Sequence, residues 1–123
     1  MQGSDVVLIV EDQYLLQFAA LELVESAGFI GICASNADDA IKILEARQDI
    51  RIVLTDVEMP GTMDGVKLAH FIRERWPPVH LIIVSGIAVL NESQLPYGTK
   101  FFSKPYHDET IIAELHRLMQ STS

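Results

Sequence analysis

Five short runs of apolar, largely β-branched residues alternate along the chain with five longer stretches whose apolar residues recur at helical spacing. That alternation leaves few folds open. The runs lie at 6–10, 30–34, 52–55, 81–84 and 100–103, and the helical stretches at 14–27, 37–47, 66–75, 89–94 and 109–120. The runs are continuous rather than alternating in polarity, as strands covered on both faces should be. Strands joined one after another through helices predict an α/β fold, a doubly wound five-stranded parallel sheet with five helices on its two faces. The punctuation agrees. Gly28 follows the first helix, Asn36 and Asp108 suit the N-caps of the second and last, and Pro77-Pro78 stops the third.

The 123 residues make one domain, 1–123, with no repeat or linker, and 49% hydrophobic residues supply its core. Nine Lys and Arg stand against 17 Asp and Glu, a net charge of −8. That excess argues against direct binding to nucleic acid or to an anionic membrane surface. A single cysteine, Cys33, excludes an internal disulfide and any multi-cysteine metal site. No apolar run approaches the ~18–20 residues of a membrane span. No basic segment followed by an apolar one marks a signal peptide at the start. A cytoplasmic protein is expected.

Ligands of such sheets sit at the carboxyl ends of the strands. Glu11 and Asp12 follow the first strand, Asp56 ends the third, Ser85 ends the fourth, and Lys104 follows the fifth. Singly, each has an ordinary structural use: a cap, a turn, a strand-end hydroxyl, a solvated charge. Their joint placement at one edge is the informative feature. Three crowded carboxylates raise one another's pKa, and a hard divalent cation such as Mg²⁺ relieves them while needing few protein ligands. Asp12 and Asp56 suit direct ligation, and Glu11 ligation through water. The set fits phosphoryl transfer, with Asp56 as nucleophile, Lys104 as a point charge and Ser85 as a hydrogen-bond donor.

The segments VVLIVED at 6–12, VLTDVEMP at 53–60, MDG at 63–65, IIVSG at 82–86 and FFSKPY at 101–106 carry a family resemblance. In that order the chain resembles the receiver domain of two-component response regulators over about residues 6–119, in a stand-alone, chemotaxis-receiver-like form. The resemblance implies a flavodoxin-like fold and a phosphoprotein of a phosphorelay, a regulatory phosphoacceptor rather than an enzyme. It makes Asp56 the phosphoacceptor. Glu11 and Asp12 become the acidic pair holding Mg²⁺, with the backbone carbonyl of Glu58 as a further ligand. Lys104 becomes the active-site lysine, aimed inward by a cis bond to Pro105, while Ser85 and Phe101 become the switch pair.

Some positions depart from the family pattern. Glu11 stands where Asp is commoner, Gly61 and Thr62 lengthen one loop by a residue, and Gly86 replaces the usual alanine. Glu58 and Ile87 occupy the two positions that tune phosphoryl lifetime in the family, and predict slow self-dephosphorylation.

The resemblance also implies a histidine kinase or histidine phosphotransfer protein as donor. With no output domain expected after 123, a downstream protein or onward phosphotransfer would carry the signal, from a monomer or weak dimer. On the first helix, Leu16, Ala19, Ala20, Leu23 and Val24 suffice for a core face, yet Tyr14, Phe18 and Leu21 form a second apolar face. Receivers use this helix to dock the kinase's histidine-bearing bundle. Pro105 and Tyr106, with His107, would extend the patch. Two other readings stand beside this one. A pseudo-receiver would leave the five site positions without purpose. A haloacid dehalogenase-like phosphatase would place its nucleophile on the first strand with a second aspartate two residues on, whereas here the candidate is on the third and is followed by Glu58.

Overall fold

The computed structural model describes residues 5–57, 64–86 and 92–120. Strands β1 (Val6–Val10), β2 (Ile30–Ala34), β3 (Ile50–Asp56), β4 (His80–Ser85) and β5 (Lys100–Ser103) alternate with helices α1 (Tyr14–Ser26), α2 (Ala37–Ala46), α3 (Gly65–Arg75) and α4 (Asp108–Gln120). All strand pairings are parallel, in the order β2-β1-β3-β4-β5. This is a doubly wound, flavodoxin-like order. The chain leaves β1 for β2 on one side and for β3 on the other, so a crevice opens above the carboxyl ends of β1 and β3.

Alternation along the strands divides the core in two. Val6, Leu8, Val53, Leu81 and Ile83 face α2 and α3, whose Leu44, Leu68 and Ile72 cover them. Val7, Ile9, Leu54, Ile82 and Val84 face α1 and α4, covered by Leu23, Val24, Ile111 and Leu115. Each such fully buried aliphatic side chain contributes roughly 1.5–3 kcal/mol. The outer strand β2 is the exception, since Ile30 is 56% exposed and Cys33 only half-buried.

The helix ends follow their capping chemistry. Gly28, at φ +95°, takes the left-handed conformation that ends α1, and its N–H donates to the Glu25 carbonyl. Asn36 accepts from the Asp39 N–H at 2.8 Å and Asp64 from the Lys67 N–H at 2.9 Å. Asp108, expected as a cap, is instead the first residue of α4; with Glu109 it sets negative charge in the first turn, where the helix dipole favours it.

The expected helix at 89–94 needs correction. Of that stretch only 92–94 lies within the described residues, and it forms one 3-10 turn (Glu92–Gln94). Pro96 and the left-handed Gly98 follow too closely for a helix to extend beyond it. The described residues thus hold four α-helices rather than five. Among them no helix is long and apolar enough to cross a membrane.

Candidate functional site

The site grows out of strand alternation. Ile9, Leu54, Val84 and Phe102 face the α1/α4 side, and Asp56 pairs in register with Val84, which pairs with Phe102. Two residues beyond each on β1, β3 and β5 come Glu11, Asp56 and Lys104, all of that same parity. The outcome is a buried cluster. Asp56 is 5% exposed and Glu11 6%. The Lys104 ammonium lies 2.6 Å from Asp56 Oδ2. Burial, only partly offset by the Gln13 N–H, pushes the Glu11 carboxyl up to about 7, and the Asp56 carboxylate adds to the rise by charge and by a hydrogen bond. For Lys104, burial works against the charge, but the Asp56 and Glu11 carboxyls prevail and hold the ammonium above its usual range.

The backbone fixes this cluster from three sides. Glu11 N–H donates to the Ala34 carbonyl, Val57 N–H to the Val84 carbonyl, and Lys104 N–H to the Ser85 carbonyl at 2.8 Å. The Lys104–Pro105 peptide bond is cis. Buried Thr55 donates its hydroxyl to the Asp56 carbonyl at 3.0 Å. Gly65 N–H donates to Val57 at 2.9 Å, and a Cβ on Gly65 would stand 2.8 Å from Val57 Cα, inside van der Waals contact. Sequence reasoning used Gly65 only as part of a motif. The reason for a glycine is that α3 starts against the Asp56–Val57 backbone.

Ser85 and Phe101 have the opposite parity. Phe101 pairs with Ile83 and packs on the α2/α3 core, while Ser85 lies two residues beyond Ile83 on the same face. They are diagonal neighbours across β4 and β5. Ser85 is 1% exposed and Phe101 half-buried.

The first turn of α1 overhangs the carboxyl edge of the sheet, and this revises its two faces. Tyr14, Leu15 and Phe18 are 78%, 85% and 60% exposed. Leu16 and Ala19, expected in the core, are exposed as well, and instead border the small cavity above the ends of β1 and β3. Leu21, expected on the second face, turns inward and fills the space beside Gly31. Leu15 was missed, since nothing in the spacing distinguishes an apolar residue on an overhanging turn from a core one. Pro105 is exposed and Tyr106 half-buried. Together Leu16, Ala19, Lys104, Tyr106 and Asp56 line a small cavity of about 60 Å³ between this turn and the acidic cluster.

Asp12 sits half-buried beside Glu11. Glu58 and Ile87 lie outside the described residues. Two buried carboxyls in hydrogen-bond contact, with a third acid next in sequence, form a hard-oxygen donor set suited to a divalent cation. Among the described residues no three His, Cys, Asp or Glu side chains gather closely enough to hold a metal ion by themselves. A cation here would therefore draw on water and backbone oxygen, as Mg²⁺ does.

A buried aspartate at the end of β3, a lysine on its carboxylate, an acidic pair beyond β1 and a serine ending β4 are joined by one further finding. The family model for the response regulator receiver domain matches residues 7–116. The chain belongs to the response regulator receiver family.

Among its relatives, the response regulator receiver protein CpdR of Brucella abortus is 28% identical over 116 residues, which cover 92% of this chain and 95% of that protein. The sensor kinase CckA of the same organism is 29% identical across 98% of this receiver, but only 13% of the kinase is covered. The receiver likewise spans 25% of the length of an NtrX-like response regulator from Rickettsia bellii. Among solved structures, a response regulator receiver protein from Sinorhizobium medicae superposes with a TM-score of 0.87 at 25% identity, covering 94% of each chain. The receiver fold is thus common to stand-alone, multidomain and kinase-borne relatives.

Proposed function

We propose that this receiver is a cytoplasmic phosphoacceptor switch. It takes a phosphoryl group onto Asp56 from a histidine kinase or histidine phosphotransfer protein and alters its partner-binding surface in response. The observation that carries this reading is the buried Asp56 carboxylate at the β1/β3 crevice, with Lys104 at 2.6 Å and Glu11 pressed against it. A carboxylate so placed is pre-positioned as a nucleophile, and the lysine awaits the charge of the incoming group. An Asp56 oxygen attacks phosphorus in line. The bond from phosphorus to the donor's imidazole nitrogen breaks, its electron pair returns to that nitrogen, and the acyl phosphate bond forms. Lys104 then holds a phosphoryl oxygen as a point charge.

Glu11 through water, Asp12 and Asp56 directly, and the Glu58 carbonyl would hold Mg²⁺. When bound, it neutralises phosphoryl oxygens during transfer. The phosphoryl group adds about −1.5 to −2 charges at Asp56. Ser85, on the neighbouring strand, gains an acceptor and shifts toward it. Phe101, its diagonal neighbour, then rotates into the vacated space. The result is a population shift bounded by how differently the two states hold the phosphoryl group.

Incubation with acetyl phosphate and Mg²⁺, followed by intact-mass measurement, is expected to show one added phosphoryl group, absent in Asp56→Asn. Labelling that survives this substitution refutes the assignment. Tyr14, Phe18, Pro105 and Tyr106 are proposed as the surface on which the donor docks, joined by Leu15. Leu21 contributes from beneath by fixing the helix against β2. Phe18→Glu is expected to slow transfer from a kinase about tenfold or more, as loss of an interface anchor does, while acetyl phosphate labelling stays unchanged. Equal slowing by both donors would remove the docking assignment.

A further inference from the structure

We propose that Gln17 is a positioning residue for the metal-binding turn, an inference that rests on the phosphoacceptor reading above. Residues 11–13 are all that connect β1 to α1, and they carry both Glu11 and Asp12. A connection this short at a helix N-terminus normally relies on a capping side chain. Gln13, at the N-cap, makes no side-chain cap hydrogen bond, and the first turn of α1 holds no acidic residue. The turn is held in another way. Glu11 Oε2 accepts from the Gln13 N–H at 3.0 Å. From the end of the first helical turn, Gln17 Nε2 reaches back six residues and donates to the Glu11 carbonyl at 2.9 Å. Gln17 N–H meanwhile donates to the Gln13 carbonyl at 2.8 Å, so backbone and side chain of one residue grip both ends of the turn.

Asp12 lies between those grips. Its carboxylate is set by a three-residue arc whose start is fixed by the sheet, through Glu11 N–H to Ala34, and whose end is fixed by Gln17. The amide also occupies the Glu11 carbonyl, a half-buried acceptor that needs a partner. Gln17 therefore acts on a divalent cation through Asp12 and Glu11, without touching it. The residues flanking it, Leu16 and Phe18, belong to the exposed turn, so a partner seated there would press on the same tether.

Gln17→Met keeps the length of the side chain and removes the donor. Mg²⁺ affinity measured by titration calorimetry is expected to fall about tenfold, the usual effect of losing an outer hydrogen bond to a metal ligand. Acetyl phosphate labelling should slow at limiting Mg²⁺ and return to within about twofold of wild type at saturating Mg²⁺. Gln17→Asn, whose shorter amide falls short of Glu11, should behave alike and guards against a folding defect peculiar to methionine. Unchanged Mg²⁺ affinity in both variants overturns the inference. So does a labelling defect that saturating Mg²⁺ leaves in place, which would mark a general structural role. A wild-type protein that labels without binding Mg²⁺ overturns the metal assignment itself.

Discussion

Gly65→Ala is expected to lower the thermal unfolding midpoint by on the order of 10 °C, through a loss of about 2–3 kcal/mol. The new methyl would stand 2.8 Å from Val57 Cα and 2.9 Å from the Asp56 carbonyl carbon. Both atoms are backbone, so no flexible side chain can yield. Val57 is held to β4 by its N–H and to Gly65 by its carbonyl. The strain has two outlets. The start of α3 can lift away, which breaks the Gly65 N–H bond, or the Asp56–Val57 peptide can shift, which displaces the phosphoacceptor. Either way, acetyl phosphate labelling should slow along with the stability loss, although Gly65 touches no phosphoryl oxygen. Calorimetric unfolding together with labelling kinetics checks both effects, and an alanine variant with wild-type stability would show that the close approach is not a constraint.

Lys104→Met is expected to slow acetyl phosphate labelling about 100-fold while leaving the protein folded. The ammonium is the cation 2.6 Å from Asp56 Oδ2, and it helps to hold two neighbouring buried carboxyls in place. Methionine retains the bulk of the stem in the cavity beside Tyr106 and removes only the charge. Without it, the charge arriving with the phosphoryl group has one fewer counter-charge in a site sheltered from water, where such terms count most. Lys104→Arg should recover part of the rate, since the larger guanidinium keeps the charge but not the geometry. Intact-mass time courses at saturating Mg²⁺ measure this, and a wild-type rate in Lys104→Met would remove the lysine from the transfer step.

The continuous apolar runs and the helical patterns were enough to place the five strands, four of the helices and the sheet edge along which Glu11, Asp12, Asp56, Ser85 and Lys104 lie. Those features are local, because an apolar run and the polar residue that ends it are set by neighbours along the chain. Leu16 and Ala19 show where local pattern runs out. Both continue the apolar stripe of α1, but they are exposed, and whether an apolar residue on a stripe is covered depends on what packs against the helix in the folded chain. Leu21 reversed for a similar reason, since a glycine at position 31 of the adjacent strand opens space that only the folded chain reveals.

What the sequence determined by itself is the order of elements, the strand ends that carry the site residues and the family to which the motifs point. Only the tertiary structure decided the strand order that opens the crevice, the need for glycine at position 65, the grip of Gln17 on Glu11, and which apolar residues of α1 face solvent. The reason is physical. Hydrophobic periodicity and capping act between residues a few positions apart, whereas burial and close approach depend on elements that meet only after the chain has folded.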